Sequence, residues 1–380
     1  MGEDRTGALT RRGLGMMLTG SALAGCATTN VIAPPPLSYT EVLKPAPPYR
    51  LAKVHVSEDR VIRTVAGLRP FRPGGFVVRA ERLDGKTLAH NYGHGGGGIT
   101  LSWGTSQLAV DLAFAGPERD YAVLGCGAVG LATARLIQRR GGRVTIYAAA
   151  LPPDTTSNIA GGQWWPASVY DPGTATAEFM AQFSQAAHLA YRHYQPLVGP
   201  AYGVRWTRNY YVGFSDVADA VGVLADVAPE ARILQPGEHP FGDTSVAQVD
   251  GMQVEPAIYL QAMLEDVLTA GGRVIVRELR SLEEVRALPE AVVFNCTGLG
   301  ARALFGDDQL EPVRGQLVVL LPQPEVTYNL LSGPAYMFPR SDGVVLGGTF
   351  DHGVWETQPQ PDITARILAR HKALFARMTD

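Results

Sequence analysis

The stretch from residue 120 to residue 147 constrains the fold most, because it places a glycine motif between a strand and a helix. Tyr121-Ala122-Val123-Leu124 is a short apolar strand, and Gly125-Cys126-Gly127-Ala128-Val129-Gly130 matches the pattern G-x-G-x-x-G. A helical stretch from Leu131 to Arg140 and a strand from Arg143 to Tyr147 follow. In this context the glycines let backbone approach a pyrophosphate at the helix N-terminus. The pattern predicts a dinucleotide-binding unit.

One element of such a unit is missing. The second strand usually ends in an acid that binds the adenosine ribose. Here it ends Tyr147-Ala148-Ala149-Ala150, and the nearest acid is Asp154. Either another group holds the ribose, or nucleotide binding is weakened.

A second glycine-rich stretch lies upstream, from His90 to Thr100. It has five glycines in the six residues from Gly93 to Gly98. An extended pattern enters it, and an apolar helical pattern leaves it, so a ligand could lie against bare backbone at a helix N-terminus. A flexible linker is the alternative. Linkers seldom carry His, Asn, Tyr and Trp at their edges, which favours a ligand loop.

The rest of the chain alternates strands with helices near these loops and is rich in strands in its middle. Asp84-Gly85 between two alternating runs predicts a hairpin. The run from Ala291 to Gly298 is a buried strand that ends in a polar glycine turn, and a terminal helix from Ile363 to Phe375 has Asp362 as its candidate N-cap. These patterns predict an α/β nucleotide domain with an interleaved α+β substrate domain.

Length and composition fit two domains with a large core. The chain has 380 residues, of which 46% are hydrophobic and 18% charged. Its net charge of −3 gives no reason to expect nucleic acid or an anionic membrane surface as a partner. The three cysteines have no spacing typical of a metal site or a disulfide framework, so no metal is expected.

The N-terminal residues resemble an export signal. Arg11-Arg12 precedes a short, mildly apolar stretch from Leu14 to Ala24, as in twin-arginine signals. Leu23-Ala24-Gly25-Cys26 resembles a bacterial lipobox with Cys26 as the lipidated residue. We therefore expect an exported bacterial protein on the periplasmic side, attached to a membrane only through Cys26. A disordered tail is the alternative.

Seven short segments, each weak alone, occur together in one known family. They are Arg69–Pro73, His90–Gly96, Val123–Leu131, Ala160–Trp164, Asn295–Gly298, Arg314–Gln316, and Tyr336–Pro339 with Leu346–Gly348. Together they resemble the D-amino-acid oxidase family of FAD-dependent oxidoreductases, over nearly everything from about residue 61 to the end. The resemblance implies a Rossmann-like FAD-binding domain with an interleaved α+β substrate domain.

The order of these segments departs from the family. The equivalents of Arg69–Pro73 and His90–Gly96 come last there and first here, so the chain resembles a circular permutation. Its old ends would be joined through Phe114–Arg119, with new ends near Asp380 and Arg60. The two glycine loops should then face one crevice.

The resemblance divides the chain into seven segments. They are a signal (1–30), a Pro-rich spacer (31–59), a permuted family C-terminal segment (60–119), a dinucleotide-binding unit (120–165), mainly substrate domain (166–255), a return to the FAD domain (256–312), and substrate-domain strands with a terminal helix (313–380).

The resemblance also implies which residues contact FAD. The pyrophosphate would lie at the glycine motif, and the flavin against the loops at residues 94–100 and 160–163. The helix starting near Thr100 would direct its positive dipole at the flavin edge that becomes anionic on reduction. The implied contacts are Gly125, Gly127, Ala128, Val129, Gly130, Thr155, Thr156, Ala160, Gly161, Gln163, His94, Gly95, Gly96, Gly97, Gly98, Ile99, Thr100, Thr297 and Gly298.

The implied catalytic residues are Arg69 and Tyr336. Arg69 matches the arginine that pairs with the substrate carboxylate, and Tyr336 matches a tyrosine whose hydroxyl binds the same group. The alternatives are a structural salt bridge and a core aromatic. Ser332 stands roughly where the family has a second tyrosine, which would change the pocket. Four other residues could shape that pocket, although sequence does not place them: His94, His352, Arg205 and Arg208.

The implied activity is oxidative deamination of a D-amino acid. Hydride passes from the α-carbon to flavin N5, and the imino acid hydrolyses to a keto acid and ammonia, with dioxygen reduced to hydrogen peroxide. Electrons could instead pass to another acceptor. A flavin-dependent glycine or secondary-amine oxidase or dehydrogenase is the first alternative, and a non-catalytic envelope protein of this fold is the second. The substrate side chain and the oligomeric state, including a homodimer, stay open.

Overall fold

A six-stranded sheet contains the dinucleotide-binding unit. Across the sheet its strands are β10 (Arg273–Val276), β5 (Arg143–Ala148), β4 (Asp120–Leu124), β11 (Val292–Asn295), β3 (Lys86–Tyr92) and β2 (Val77–Leu83). The first five are parallel, whereas β2 pairs antiparallel with β3. The structure is a computed structural model that describes residues 50–117, 119–228 and 230–379.

Four long helices pack with this sheet and with one another. They are α1 (Gly98–Ala113), α2 (Ala128–Arg139), α3 (Ala177–Tyr194) and α5 (Pro256–Thr269). Helix α1 is buried over most of its length, in contact with α2, α3 and β3. A side chain at Gly104 would overlap the backbone of Ala186, so this glycine lets α1 and α3 approach closely. Leu112, which the apolar pattern of the sequence includes, is instead exposed in the last turn.

A second, ten-stranded sheet forms the other half of the described residues. Its main path is β1 (Val61–Phe71), β12 (Glu311–Leu320), β15 (Gly343–Gly347), β14 (Ala335–Arg340), β13 (Tyr328–Ser332), β7 (Val204–Val212), β9 (Val246–Val254) and β6 (Gln163–Trp164). Two short strands pair with it, β16 (Asp351–His352) on β12 and β8 (Arg232–Leu234) on β9. The remaining helices of the described chain are α4 (Val217–Val221), α6 (Leu282–Arg286), α7 (Gly300–Phe305) and α8 (Pro361–Ala376).

The predicted mixed α/β fold is confirmed, and its halves interleave along the chain. The segment from residue 60 to residue 119 supplies β1 to the larger sheet and both β2 and β3 to the smaller one. The Asp84-Gly85 hairpin is also confirmed, since Leu83 pairs with Lys86 across it and Asp84 has a φ of 51°. Local turn chemistry and strand alternation were enough to predict it.

Two expectations need correction, and one strand was not predicted. The Pro-rich spacer does not extend to residue 59, because Val54 is only 4% exposed and packs in the core beside the larger sheet. Strand β1 was not expected. Asp362 is not the N-cap of α8, since Gln360 holds that position and Pro361, whose fixed φ suits the first helical residue, opens the helix.

The signal segment and Cys26 lie outside the described residues. Within the residues that the structure describes, no helix combines the length and the apolar character needed to cross a membrane.

Candidate cofactor and substrate site

A cavity of about 910 Å³ lies at the carboxyl edge of the parallel strands. The residues that follow β3, β4, β5, β10 and β11 all line it, and residues of the larger sheet close its other side. Parallel strands present their carboxyl ends on one edge, where helix N-termini and bare loops can meet a ligand. The two glycine loops line this one cavity, so the expectation that they face a shared crevice is confirmed.

The glycine motif after β4 divides into lining and packing positions. Gly125 has a φ of 104°, and a Cβ there would lie 2.5 Å from the carbonyl oxygen of Cys296. Gly127 leaves room for Ser157, whose Oγ would lie 3.0 Å from an added Cβ. Gly130 does not line the cavity. The sequence predicts that Gly130 contacts the cofactor. In the structure a Cβ at Gly130 would overlap the carbonyl of Gly125, so close packing alone already requires a glycine here.

The second glycine loop meets the cavity through the first residues of α1. Gly98, Ile99 and Thr100 line it, together with the preceding His94, Gly95 and Gly96. No side chain caps this helix, and its first turn contains no acid. Its positive end is therefore uncompensated by a side chain. Gly97 is an exception to the predicted contacts. A Cβ there would lie 2.7 Å from Cγ2 of Val169, so this glycine is required by packing.

The imidazole of His94 is buried and held by contacts with other side chains of the protein. It is 2% exposed, lies 2.9 Å from the hydroxyl of Thr105 through Nε2, and stacks on Phe76. Because the Thr105 hydroxyl donates to the carbonyl of Leu101, Nε2–H donates to Thr105. Burial lowers the pKa of His94 to about 3, so the ring is neutral. His94 fixes the glycine loop and supplies no positive charge to the cavity.

A buried amide network positions the loop from Ala160 to Gln163. Gln163 donates to Asn209 (2.9 Å) and to the Tyr211 hydroxyl (3.0 Å). Gln253 donates to the carbonyl of Gly161 at 3.0 Å, and Asn329 donates to Gln253 and Asn209. Arg340 donates to the carbonyl of Ala160 at 3.0 Å. The predicted residues of this loop, Ala160, Gly161 and Gln163, all line the cavity.

Two polar turns complete this side of the site. Asn295 accepts hydrogen bonds from the backbone N–H (3.2 Å) and hydroxyl (2.7 Å) of Thr297, which shapes the turn that brings Thr297 and Gly298 to the cavity. Thr155 and Thr156 line it as predicted. Sequence reasoning missed Ser157, whose Oγ accepts from the N–H of Ala128 at 3.1 Å.

Arg69 and Tyr336 meet where the larger sheet lines the cavity. Nη2 of Arg69 donates to the Tyr336 hydroxyl at 3.4 Å, and Nη1 donates to the carbonyl of Thr349 at 3.2 Å. The guanidinium also lies over the ring of Phe350, 5.2 Å from its centroid. Among the described residues no carboxylate pairs with Arg69, which removes the structural salt bridge as an explanation. This cation is available to an anionic ligand.

The comparison with known families agrees with this geometry. The profile described as "DAO: FAD dependent oxidoreductase" matches residues 26–112 and 120–380. The chain belongs to the DAO family of FAD-dependent oxidoreductases.

Relatives of this DAO-family protein include two curated oxidases. A D-amino-acid oxidase from Streptomyces coelicolor is 34% identical over 265 residues, which are 68% of this chain and 78% of that protein. The human D-aspartate oxidase is 32% identical over 264 residues, 67% of this chain and 75% of that protein. A crystal structure of glycine oxidase from Geobacillus kaustophilus shares the fold, with a TM-score of 0.54 and 18% identity over 69% of this chain and 78% of that one.

The cavity of this DAO-family protein fits the FAD on which the family depends. Its volume lies in the range of cofactor and ligand pockets. Gly125 leaves bare backbone where a side chain would collide, as a pyrophosphate cradle requires. Asn91 also lines the cavity, and its buried Oδ1 lacks a hydrogen-bond partner among the described residues. A bound flavin nucleotide supplies donors for such an acceptor.

Several residues considered from sequence lie elsewhere. Ser332 does not line the cavity, whereas its neighbours Leu331 and Gly333 do. Three other candidates are also outside the cavity lining, in ion pairs: Arg205 with Glu255, Arg208 with Asp250, and His352 with Glu311. Sequence reasoning also missed Phe338, which lines the cavity from within β14, and four lining residues that follow strands or lie between them: Thr349, Phe350, Arg277 and Glu278.

Proposed function

We propose that the protein catalyses FAD-dependent oxidative deamination of D-amino acids with a neutral side chain. The observation that carries this proposal is the pair formed by Arg69 and Tyr336 at one end of the cavity. An arginine without a carboxylate partner, next to a tyrosine hydroxyl, is suited to an α-carboxylate. Its rigid fork offers two parallel N–H donors to that planar group.

The pair formed by Arg69 and Tyr336, called the clamp below, would orient the substrate as well as bind it. With the carboxylate held between Arg69 and Tyr336, the remaining substituents of the α-carbon would face the rest of the cavity. The loop with Ala160, Gly161 and Gln163 lies between the clamp and the glycine motif, and its carbonyls are held by Gln253 and Arg340. A rigid loop favours catalysis, since a fixed approach distance removes part of the entropic barrier.

FAD supplies the acceptor for a hydride when it is bound. The α-carbon–hydrogen bond of the substrate breaks, its hydride leaves with both electrons, and the nitrogen loses a proton to solvent. Water then adds to the imino acid and ammonia leaves, while dioxygen takes up two electrons and two protons to give hydrogen peroxide. The one histidine that lines the cavity among the described residues, His94, is neutral and bonded to Thr105. The chain's role is therefore binding and orientation.

The D-amino-acid oxidase of Streptomyces coelicolor supports this proposal through its sequence similarity. Glycine or a secondary amine as substrate, a dehydrogenase reaction without dioxygen, and a non-catalytic role are the competing possibilities. The clamp argues against a purely structural role, because an unpaired, half-buried arginine gives a scaffold no benefit.

A substrate panel with two acceptors tests these possibilities. The FAD-loaded protein is offered D-amino acids, their L-enantiomers, glycine and sarcosine, and both peroxide and reduction of an artificial acceptor are followed. Peroxide formed only with D-amino acids supports the proposal. Turnover only of glycine or sarcosine, or none with any substrate, contradicts it, and dye reduction without peroxide identifies a dehydrogenase.

An Arg69 variant tests the clamp itself. In Arg69→Ala, KM should rise roughly a hundredfold or more, because the substrate carboxylate loses its buried partner. Arg69→Lys should recover only part of this, since an ammonium lacks the planar fork. Arg366→Ala, at an exposed position of α8, is the matched control. Unchanged KM in Arg69→Ala would contradict the proposed clamp.

We also propose that this chemistry takes place outside the cytoplasm. Arg11-Arg12 and the lipobox ending at Cys26 support export and lipid attachment. The twin-arginine route carries folded proteins, which suits a chain that binds FAD before export. Mass spectrometry of the mature protein tests this, because an unmodified Met1 start in the native host would contradict it.

A further inference from the structure

Strand β5 ends without the acid that a dinucleotide-binding unit normally places there. Ala148, Ala149 and Ala150 follow one another at its end, and all three line the cavity. None of them can accept a hydrogen bond through its side chain. The adenosine ribose of a bound nucleotide would therefore lack its usual carboxylate partner on this strand.

The neighbouring strand β10 ends beside β5 and is followed by a residue with a carboxylate side chain. β10 runs parallel to β5 with Val276 opposite Ala148, and the N–H of Arg277 donates to the carbonyl of Ala148 at 2.8 Å. Glu278 follows directly and lines the cavity together with Ala149. Neighbouring strands lie about 4.8 Å apart. Glutamate has a longer side chain than aspartate and can cover part of that distance.

We propose that Glu278 binds the hydroxyls of the adenosine ribose of FAD, in the place left by Ala149. An ionised carboxylate has two oxygens and can accept from two neighbouring hydroxyls at once. Glu278 now accepts from Arg280 at 2.9 Å and 2.6 Å, in a pair whose side chains are 57% and 79% exposed. Exposed pairs of this kind contribute little, so they leave the carboxylate free to turn toward a ligand.

Asp154 is the rival acid, because it also lines the cavity. The turn that follows it brings Ser157 to the N–H of Ala128, at the start of α2. Asp154 therefore belongs to the end of the cavity where the glycine motif would meet the pyrophosphate. A carboxylate near two phosphates is repelled by them. Glu278 instead follows β10, next to the end of β5, where the adenosine ribose is expected.

Binding of FAD to the apoprotein tests the proposal without any substrate. Glu278→Gln should weaken the FAD Kd, followed by flavin fluorescence, roughly tenfold, since charge-assisted hydrogen bonds are lost while size is kept. The Kd for FMN, which has no adenosine, should stay unchanged. Glu283→Gln on α6 is the matched control, because this acid is exposed and does not line the cavity. Asp154→Asn should not raise the FAD Kd, because it removes a carboxylate that the phosphates repel.

A second variant tests whether the two positions are equivalent. Ala149→Asp in the Glu278→Gln background should return the FAD Kd toward the value of the unmodified protein. The proposal is overturned if Glu278→Gln binds FAD within twofold of that value, if it weakens FMN equally, or if Asp154→Asn carries the loss. A double variant no better than Glu278→Gln would also count against it. Because no amino acid enters these measurements, they are independent of the proposed deamination.

Discussion

The guanidinium of Arg69 lies over the α-carbon of Gly315 on the neighbouring strand. A methyl group at Gly315 would lie 2.5 Å from Nη2 and 2.7 Å from Cζ of Arg69. A similar relationship holds one strand further on, where a methyl group at Gly347 would overlap the ring of Tyr336, its partner across β14 and β15. Both members of the clamp therefore rest on bare backbone of the larger sheet.

Gly315→Ala should displace the guanidinium of Arg69, because the added methyl group would overlap it. We expect KM to rise roughly tenfold, in line with the cost of overpacking, while the FAD Kd is unchanged. Steady-state kinetics and flavin titration measure the two effects. Gly85→Ala in the exposed hairpin is the control, since an added Cβ there meets nothing within 4 Å. A Gly315→Ala protein with unchanged KM would show that the arginine does not need this position.

The clamp end of the cavity should exclude acidic side chains. The charged residues that line the cavity, within the described chain, are Arg69, Asp154, Arg277 and Glu278, and the last three follow β5 and β10. A second substrate carboxylate near Leu331 and Phe338 would lose its hydration without finding a cation. We expect kcat/KM for D-aspartate to be at least roughly a hundredfold below that for D-methionine or D-leucine, measured by peroxide formation.

The variant Leu331→Arg tests the same idea in the opposite direction, because it should improve turnover of D-aspartate. Leu331 lines the cavity, and an arginine there would offer the missing cation. The ratio of kcat/KM for D-aspartate to that for D-leucine should rise roughly tenfold or more. D-aspartate as the preferred substrate of the unmodified protein would contradict the neutral-side-chain proposal.

His94 should make stability fall toward acid pH. Burial lowers its pKa to about 3, whereas histidine in an unfolded chain titrates near 6.5. The unfolded chain therefore binds a proton that the folded chain does not. This contribution to stability is fully present above about pH 6.5 and is lost by up to about 1.4 kcal/mol per pH unit as the pH falls toward 3.

Urea unfolding of the apoprotein at pH 7 and pH 5 measures this effect. His94→Gln should show a shallower loss of unfolding free energy between these values than the unmodified protein. Some loss should remain, because burial also lowers the pKa of His90 and His371. His188→Gln is the control, because hydrogen bonds to the carbonyl of Ser184 and to Asp226 raise the pKa of His188, so its removal should steepen the loss. Equal slopes for His94→Gln and the unmodified protein would contradict the assignment.

The proposed circular permutation predicts that the chain can be reopened at its connector. Residues 114–119 join α1 to β4, and the Tyr121 hydroxyl donates to the carbonyl of Gly116 at 2.7 Å. Leu51 packs against the same hydrophobic cluster to which Met378 belongs, so both ends of the described body are attached to one cluster. A chain opened in the connector and joined from Thr379 to Leu51 by a short linker should fold and bind FAD.

The FAD Kd of the reopened chain should lie within about threefold of the original, as for other cuts in exposed connections. A chain opened between Tyr210 and Tyr211, inside β7, is the control and should fail to bind FAD, because the cut interrupts the larger sheet. A connector-opened chain that also fails would contradict the permutation.

Local sequence patterns were enough to predict the helices and strands of the dinucleotide-binding unit. The roles of individual residues depended on contacts between distant parts of the chain. Residues 120–148 form the predicted strand, helix and strand because their periodicity and glycines act within thirty residues. Gly97 and Gly130 were expected to contact FAD. In the structure a side chain at Gly97 would collide with Val169, and one at Gly130 would collide with the carbonyl of Gly125. Sequence spacing does not distinguish a glycine that meets a ligand from one that meets another element.

Residues that depend on strand register were the hardest to predict. Glu278 reaches the cavity because β10 pairs with β5, more than a hundred residues earlier in the chain. Strand β1 was not predicted. Pro70, which cannot donate to a ladder, is its penultimate residue, and β1 pairs with β12 with a register shift between Val61 and Arg63. The resemblance to the family singled out Arg69, but only the structure shows that no described carboxylate pairs with it.

The interleaved strand order also has a consequence for synthesis. β3 is made early, but β11, which pairs with β3, is made roughly 200 residues later, and β12, the partner of β1, later still. At about 5–20 residues per second, the edge of β3 that β11 covers would wait about 10–40 seconds for its partner. Until then the nascent chain has an unpaired strand edge. This protein should therefore depend on chaperone protection during translation more than a relative whose equivalent segment is made last.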